Sequence, residues 1–399
     1  MTLSRPLVLA LLAFASVGSG LIVSIVGPTV PALAGRLHVG ESALGVVFTA
    51  NFLTGAAATA LSGRLFDRFG PRLLTPFGLL ALALGALAEG IAGSPAALTL
   101  AAVVAGIGVG VTNVCVGAAA AVLYPERRGA TLNILNASFG TGAFAAPLLA
   151  ELCLTRLHGY TLAYVVVALV LAVPVVPLLC GLPGARRGAR GDQGAGSPPP
   201  APPLRALLRK RRLWAPITIG ALYLGAEIGF GGWIVTIVSR SARLDPAGAA
   251  PLASVFWLAL ALGGVPTALL LRRGVAPVRI ITLGAVGVVG GAVLLLAVGH
   301  SLPPAAAACA LIGLAFSPIF PLAQALAVGV AAEDGAGAEG GALALMLVAS
   351  GVGAAIVPPV QGLLLRGGLI PAIAPTLLCA VGIAAISYRL SRARLAPRG

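Results

Sequence analysis

The chain has 399 residues, of which 59% are hydrophobic and only 9% are charged. Soluble domains carry about 25% charged residues and disordered chains are poor in hydrophobic residues, so the composition excludes both classes. The formal net charge of +15 would suit nucleic-acid binding if it were concentrated on one surface, but the basic residues lie in short gaps between apolar segments. The composition therefore predicts an all-α integral membrane protein that binds a lipid bilayer and no nucleic acid.

Twelve apolar segments are long enough to span a hydrocarbon core of about 30 Å, which takes about 20 helical residues. If both termini are cytoplasmic, 21 of the 26 Lys and Arg residues lie inside, and the five exceptions are Arg36, Arg156, Arg240, Arg243 and Arg366. Such an excess of positive charge on one side orients a multispanning protein. We therefore predict a multi-pass protein of the cell membrane with both termini in the cytoplasm. The predicted spans are 7–33, 41–66, 73–92, 97–123, 130–153, 161–182, 213–239, 251–271, 278–299, 303–331, 340–364 and 370–391.

A stretch rich in Pro, Gly and Arg separates the first six spans from the last six, and this composition is typical of a flexible linker. A shift of 212 positions places Leu135 and Pro147 on Leu347 and Pro359, which indicates a duplicated unit. Parallel repeats of this kind form two pseudo-symmetric six-helix bundles with a site between them. The predicted domains are an N-terminal bundle at 1–182, a cytoplasmic linker at 183–212 and a C-terminal bundle at 213–399.

The most specific motif is SGRLFDRFGPR, which lies between the second and third spans at 62–72. Gly63 and Gly70 permit a tight turn, and Asp67 can cap a helix or pair with an arginine. The motif resembles the signature loop of the major facilitator superfamily, Gly-x-x-x-Asp-Arg-x-Gly-x-Arg. The resemblance implies a gating element that latches the two halves together in the outward-facing state of a transporter. Its residues would be Gly63, Asp67, Arg68, Gly70 and Arg72.

The second half carries a related loop at 269–280, where Leu271 replaces Asp67, so we expect an asymmetric latch. The stretches 124–149, 225–238 and 314–327 resemble the fucose permease and sodium- or proton-linked glucose transporter branch of that superfamily, which implies that they line a sugar cavity. Proton-linked members of the branch carry acidic residues in spans 1 and 4. This chain has none in span 1 and has Asn113 in span 4.

Glu227 is the carboxylate that lies well inside a predicted span, and ionisable residues within a membrane are costly and usually functional. Tyr223 lies one turn earlier on the same helix face, and the FGGW segment at 230–233 would let the helix break. We interpret Glu227 as a cavity carboxylate that binds solute hydroxyls or carries a coupling proton. A structural carboxyl paired with a neighbouring helix is the alternative. Glu89 and Glu151 lie near the outer ends of spans 3 and 5, where we expect them to reach the interface.

The other polar residues within the spans are mostly amides, hydroxyls and indoles, which suit the hydroxyl pairs and apolar ring faces of sugars. No span has a central Lys or Arg, which argues against an anionic substrate. Each amide could instead hold two helices together. The predicted substrate-binding residues are Asn51, Asn113, Asn133, Asn136, Tyr223, Glu227, Trp233, Trp257, Ser317, Gln324 and Gln361.

The sequence predicts no enzyme, no cofactor and no metal site. The three histidines, His38, His158 and His300, lie near outer loop ends, so they cannot meet a carboxylate in the core as a catalytic or metal site requires. No phosphate-binding Gly-x-x-x-x-Gly-Lys-Ser/Thr motif occurs, which favours a secondary carrier.

We therefore predict a monomeric secondary transporter for a small polar solute, most simply a sugar, with a proton or sodium ion as the coupling ion. Multidrug or metabolite efflux by proton antiport is the alternative. Drug antiporters of the superfamily carry a Gly-x-x-x-Gly-Pro signature in span 5, and Gly142, Ala146 and Pro147 form a degenerate version of it here.

Overall fold

The computed structural model describes residues 3–183, 207–333 and 338–395. All regular secondary structure in these ranges is helical, and twelve helices are long and apolar enough to cross a membrane. The all-α prediction and the number of spans are therefore confirmed. The helices are α1 (Arg5–Arg36), α2 (Glu41–Phe69), α3 (Pro71–Ile91), α4 (Pro95–Leu123), α5 (Pro125–Arg156), α6 (Thr161–Gly181), α7 (Arg211–Ala242), α8 (Pro246–Arg272), α9 (Pro277–Val298), α10 (Leu302–Ala332), α11 (Ala338–Gly367) and α12 (Leu369–Arg392).

Several helices begin at a proline. Proline suits the first helical position because the N–H group of a residue there would have no partner within the helix, so its absence costs nothing. Side chains cap two of these helix starts. Ser94 accepts a hydrogen bond from the backbone N–H of Ala97 at 3.2 Å in α4, and Asp245 accepts one from Gly248 at 3.2 Å in α8.

The two halves repeat the same tight turn. Gly70 connects α2 to α3 with φ of +76°, and Gly274 follows α8 with φ of +77°, a backbone conformation that favours glycine. The prediction that Gly63 contributes to the first turn is wrong, because α2 extends to Phe69 and contains Gly63.

The helix packing confirms two pseudo-symmetric six-helix bundles. In the first half α1 packs on α5, α2 on α4, and α3 on α4 and α6, and in the second half the equivalent pairs are α7 with α11, α8 with α10, and α9 with α10 and α12. The exact domain boundaries stay a prediction, since residues 184–206 of the predicted linker lie outside the described residues.

Three helices are interrupted near their middle. Pro174 interrupts α6 and Pro318 interrupts α10, because proline lacks the N–H group that continues the helical hydrogen bonds. Helix α8 bends at Gly263, where a Cβ atom would overlap Ser317 of α10. The interruptions of α8 and α10 therefore pack directly against each other.

The prediction that α7 breaks at 230–233 is wrong, because α7 is continuous from Arg211 to Ala242. Its glycines serve close packing instead. A Cβ atom on Gly232 would lie 2.8 Å from the ring of Phe48, and one on Gly27 of α1 would lie 2.7 Å from the carbonyl oxygen of Gly231. Small residues of this kind let membrane helices approach closely.

The helices alternate in direction, so the described ends of the chain and both ends of the linker lie at one end of the bundle. We call this the linker end and the opposite end the distal end. Contacts between the two halves run along α2 and α11, α5 and α8, and α1 and α7. In the distal parts of these helices Gly45 approaches Pro359, and Gly27 approaches Gly231. Among the described residues, four hydrogen bonds join the halves. They run from Arg240 to Glu41 (2.8 Å), Arg366 to Ser42 (2.8 Å), Thr49 to the Ala355 carbonyl (2.8 Å) and Ser254 to the Phe144 carbonyl (2.9 Å).

The linker end is open by contrast. None of the residues in Gly264–Arg272, the linker-end part of α8, is buried. At this end Arg72 donates to the Leu179 carbonyl within the first half, and Arg212 pairs with Glu333 within the second half. The protein is therefore closed at the distal end and open at the linker end.

Candidate functional site

A cavity lies between the two halves, just below the distal seal. Helices α1 to α4 of the first half and α7 and α8 of the second half form its walls. The space open to the centres of water molecules is about 30 Å³, which holds about two waters. We call it the central cavity. Its lining residues are Ile22, Val23, Val26, Val47, Phe48, Asn51, Phe52, Glu89, Val109, Ile228, Gly232 and Trp257.

Glu89 lines the central cavity, so the expectation that it reaches the membrane interface is wrong. Its side chain is only 2% exposed, and its Oε2 atom has no hydrogen-bond partner among the described residues. Leu79, Leu82 and Ala86 are fully buried on the same helix, and their spacing of three to four residues continues to Glu89. This spacing was the signal in the sequence that could have placed Glu89 on the buried face of α3. Glu151 is half-buried.

Trp257 also lines the central cavity, from α8, as the sequence predicted that a substrate-binding indole would. Its indole Nε1 atom has no hydrogen-bond partner among the described residues. The centroid of its ring lies 5.1 Å from that of Phe256. The ring also packs against Gly231, where an added Cβ atom would lie 3.1 Å from the indole. Trp257 therefore connects the cavity to the aromatic residues between α7, α8 and α10.

Glu227 lies on α7 next to these aromatic residues. It is 7% exposed, and the Tyr223 hydroxyl is its described polar neighbour. The Tyr223 ring stacks on Phe320 at 5.3 Å and meets Phe316 edge-on at 5.6 Å. Glu227 is thus buried with a single described polar neighbour and does not itself line the central cavity, although the next residue, Ile228, does.

Two of the predicted asparagines lie in a second cleft, nearer the linker end. Asn113 of α4 and Asn136 of α5 are exposed there, and the space open to water centres is about 150 Å³. Ser16 and Ser19 line the same cleft, but their hydroxyls donate to carbonyls of α1 itself. The cleft therefore presents free amide groups toward the open end of the protein.

The remaining predicted residues lie outside both spaces. Trp233 is fully buried, and its indole N–H donates to the Pro358 carbonyl at 2.8 Å. Gln361 is fully buried and accepts from Thr376 at 3.4 Å. Asn133 is exposed, Gln324 is half-buried, and Ser317 packs against Gly263. Only Asn51 and Trp257 of the predicted residues share the central cavity.

The predicted gating loop lies at the open linker end. Asp67 is exposed in the last turn of α2 and has no hydrogen bond or ion pair among the described residues, so the prediction that it caps a helix or pairs with an arginine is wrong for this state. Arg68 lies over the Phe69 ring at 5.4 Å. Arg72 donates to the Leu179 carbonyl at 2.7 Å and thereby ties α3 to α6 within the first half.

Comparison with known proteins agrees with this architecture. The family model described as Major Facilitator Superfamily matches residues 12–358. The chain is 24% identical over 401 residues to sodium-dependent glucose transporter 1 of Danio rerio, over 87% of this chain and 62% of that protein. It is 25% identical over 279 residues to sodium-dependent glucose transporter 1A of Mus musculus, over 61% of this chain and 64% of that protein. The chain thus spans less than two thirds of the length of these relatives. A crystal structure of a mutant of the nucleoside transporter NupG is similar with a TM-score of 0.75 and 15% identity, over 98% of this chain and 99% of that chain.

Proposed function

The chain belongs to the major facilitator superfamily, and we propose that this transporter carries a sugar or a sugar-like solute across the cell membrane by alternating access. The central cavity is the observation that carries the proposal. It lies between two halves that are sealed on one side of it and apart on the other, which is the arrangement that a rocking mechanism needs. The glucose transporter names of the relatives support a sugar as the solute class.

We propose that the linker end is cytoplasmic, because 21 of the 26 Lys and Arg residues then lie inside, as the predicted topology places them. The state described above is then inward-facing. We further propose that the protein acts as a monomer in the membrane, with a proton or a sodium ion as the coupling ion and with Glu227 as the proton-coupling carboxyl.

Uptake into proteoliposomes tests the proposed solute class. We expect saturable uptake of at least one of radiolabelled D-glucose, D-galactose and L-fucose, with competition by an excess of the same unlabelled sugar. Uridine tests the nucleoside class and ethidium tests cationic drugs. Saturable transport of ethidium with none of any sugar would contradict the proposal and favour the efflux alternative.

Asp67→Asn should shift the carrier toward the inward-facing state and slow transport. Asp67 has no partner in the state described here, so the substitution costs this state nothing, whereas it removes a charged contact from the outward-facing state. An exposed ion pair is worth about 0.2–1 kcal/mol, which corresponds to an up to about fivefold shift in population. The measurement is the alkylation rate of a cysteine introduced at Asn136, together with the rate of uptake.

Glu126→Gln is the matched control, because Glu126 is an exposed carboxylate at the same end of the protein. It should change neither rate. If Asp67→Asn also leaves both the alkylation rate and the uptake rate unchanged, Asp67 is not part of the latch.

A further inference from the structure

Glu89 and Trp257 are the two lining residues of the central cavity that have an unpartnered buried polar atom among the described residues. They come from opposite halves, on α3 and α8, and both line this cavity. Each has a deeply buried polar atom without a hydrogen-bond partner in the described ranges, Oε2 of Glu89 and Nε1 of Trp257. Buried polar atoms are nearly always paired, as the indole N–H of Trp233 is with the Pro358 carbonyl.

We infer that Glu89 and Trp257 bind one hydroxyl-bearing end of the transported solute between them. This inference rests on the proposed function and adds the residues that recognise the solute and the chemical group that they recognise. It also assigns a role to Glu89, which neither the resemblance nor the predicted site included.

The two unpaired atoms select for a hydroxyl group. The indole N–H can only donate, and the carboxyl accepts when ionised. A hydroxyl both donates and accepts, so it can satisfy the two together and can also pair with the carboxyl when that group is protonated. An ammonium group only donates and would leave the indole N–H unpaired. A carboxylate or phosphate group would be repelled by an ionised Glu89.

The lining of the cavity also argues against a bound metal cation. Hard cations take about six or more oxygen ligands, and Glu89 and Asn51 are the side chains with an oxygen among the residues that line the cavity. The remaining walls are aliphatic and aromatic apart from the Trp257 indole, and the neighbouring backbone carbonyls belong to helices.

Glu89 belongs to the first half of the protein and Trp257 to the second. Because the two groups belong to opposite halves, a solute bound to both also favours the distally closed state.

Binding affinities of four variants test the roles of Glu89 and Trp257. The probes are D-glucose, D-galactose and L-fucose. Monodeoxy analogues of the sugar that binds the wild type most tightly are measured as well. Trp257→Phe removes the N–H and keeps a ring, and we expect it to weaken binding about tenfold. Glu89→Leu removes the acceptor and should weaken binding by about tenfold or more. Glu89→Gln keeps a hydrogen-bonding group and should restore most of the affinity. The double variant Glu89→Leu/Trp257→Phe should lose less than the product of the single losses, because both bonds go to one hydroxyl.

The analogues provide a readout that misfolding would not reproduce. One monodeoxy analogue should bind the wild type about tenfold more weakly than the parent sugar, whereas the double variant Glu89→Leu/Trp257→Phe, which lacks both partners of that hydroxyl, should bind the analogue and the parent sugar equally well. Trp214→Phe and Glu151→Leu are the controls, since Trp214 is 46% exposed and Glu151 is half-buried outside the cavity. Neither should change affinity.

The outcomes separate the two proposals. If a sugar binds and Trp257→Phe and Glu89→Leu leave its affinity unchanged, the pair is not the binding site, while the proposed function stands. If the variants lose affinity and every analogue responds like its parent sugar, the assignment to a hydroxyl is wrong. If none of the three sugars binds the wild type, both the inference and the proposed function are wrong.

Discussion

Replacing Gly27 with valine is expected to abolish transport by holding the distal end open. Gly27 lies on α1 where this helix crosses α7 of the other half. A Cβ atom at this position would lie 2.7 Å from the Gly231 carbonyl oxygen and 3.1 Å from that of Gly232. Both oxygens belong to the helix backbone, so neither can move unless α7 moves as a whole.

The clash exists only while the halves are in contact at the distal end, so it should destabilise this state relative to one in which they part. Overpacking costs about 1–3 kcal/mol, which shifts a two-state equilibrium by roughly 5- to 150-fold. Uptake and the accessibility of cysteines introduced near the distal seal measure the effect. Gly27→Ala, with a single added carbon, should act in the same direction but less strongly.

Gly35→Val is the matched control on the same helix, because a Cβ atom there meets nothing within 4 Å. It should transport at nearly the wild-type rate. If Gly27→Val is folded and transports normally, then the close approach of α1 and α7 is not part of the transport cycle.

Glu227→Gln is expected to abolish the accumulation of solute against a gradient and to leave downhill exchange intact. Glutamine has the same shape and keeps a side-chain oxygen that can accept a hydrogen bond next to the Tyr223 hydroxyl. It cannot bind and release a proton as a carboxyl does. The ratio of inside to outside solute should therefore fall to about one under an imposed ion gradient.

Tyr223→Phe separates coupling from structure at this position. It removes the hydroxyl next to Glu227 but keeps the ring stacked on Phe320, so it should alter the affinity for the ion while accumulation persists. If Glu227→Gln still concentrates the solute, the coupling group lies elsewhere. If the wild type only equilibrates the solute across the membrane, the protein is a facilitator.

The spans and the repeat could be predicted because they depend on local composition. An apolar stretch of about 20 residues satisfies its backbone hydrogen bonds internally only as a helix, whatever lies around it. Gly70 could be assigned to a turn for a similar reason, and its counterpart Gly274 has the same positive φ. The assignment of Gly63 to the turn was wrong because a glycine within a motif can also lie inside a helix, and α2 ends only at Phe69, beyond Gly63.

The role of the FGGW segment could not be decided from its composition. Two adjacent glycines permit either a break in a helix or a close approach of two helices. Here α1 and Phe48 pack against them, so the glycines serve the close approach. The same holds for Trp233 of α7 and Trp257 of α8. Trp233 finds the Pro358 carbonyl and Trp257 finds no described partner, although both appear alike in the sequence as indoles within apolar spans.

The sequence by itself determined the membrane class, the twelve helices, the two related halves and the scarcity of charge within the spans, because each follows from composition and spacing along one segment. The tertiary structure alone decided which polar groups meet. It brought Glu89, Asn51 and Trp257 to one cavity from three helices, and it left Asp67 unpaired at the open end. The physical reason is that a helix sets only the face on which a side chain lies, whereas the packing of the two halves sets what that face contacts.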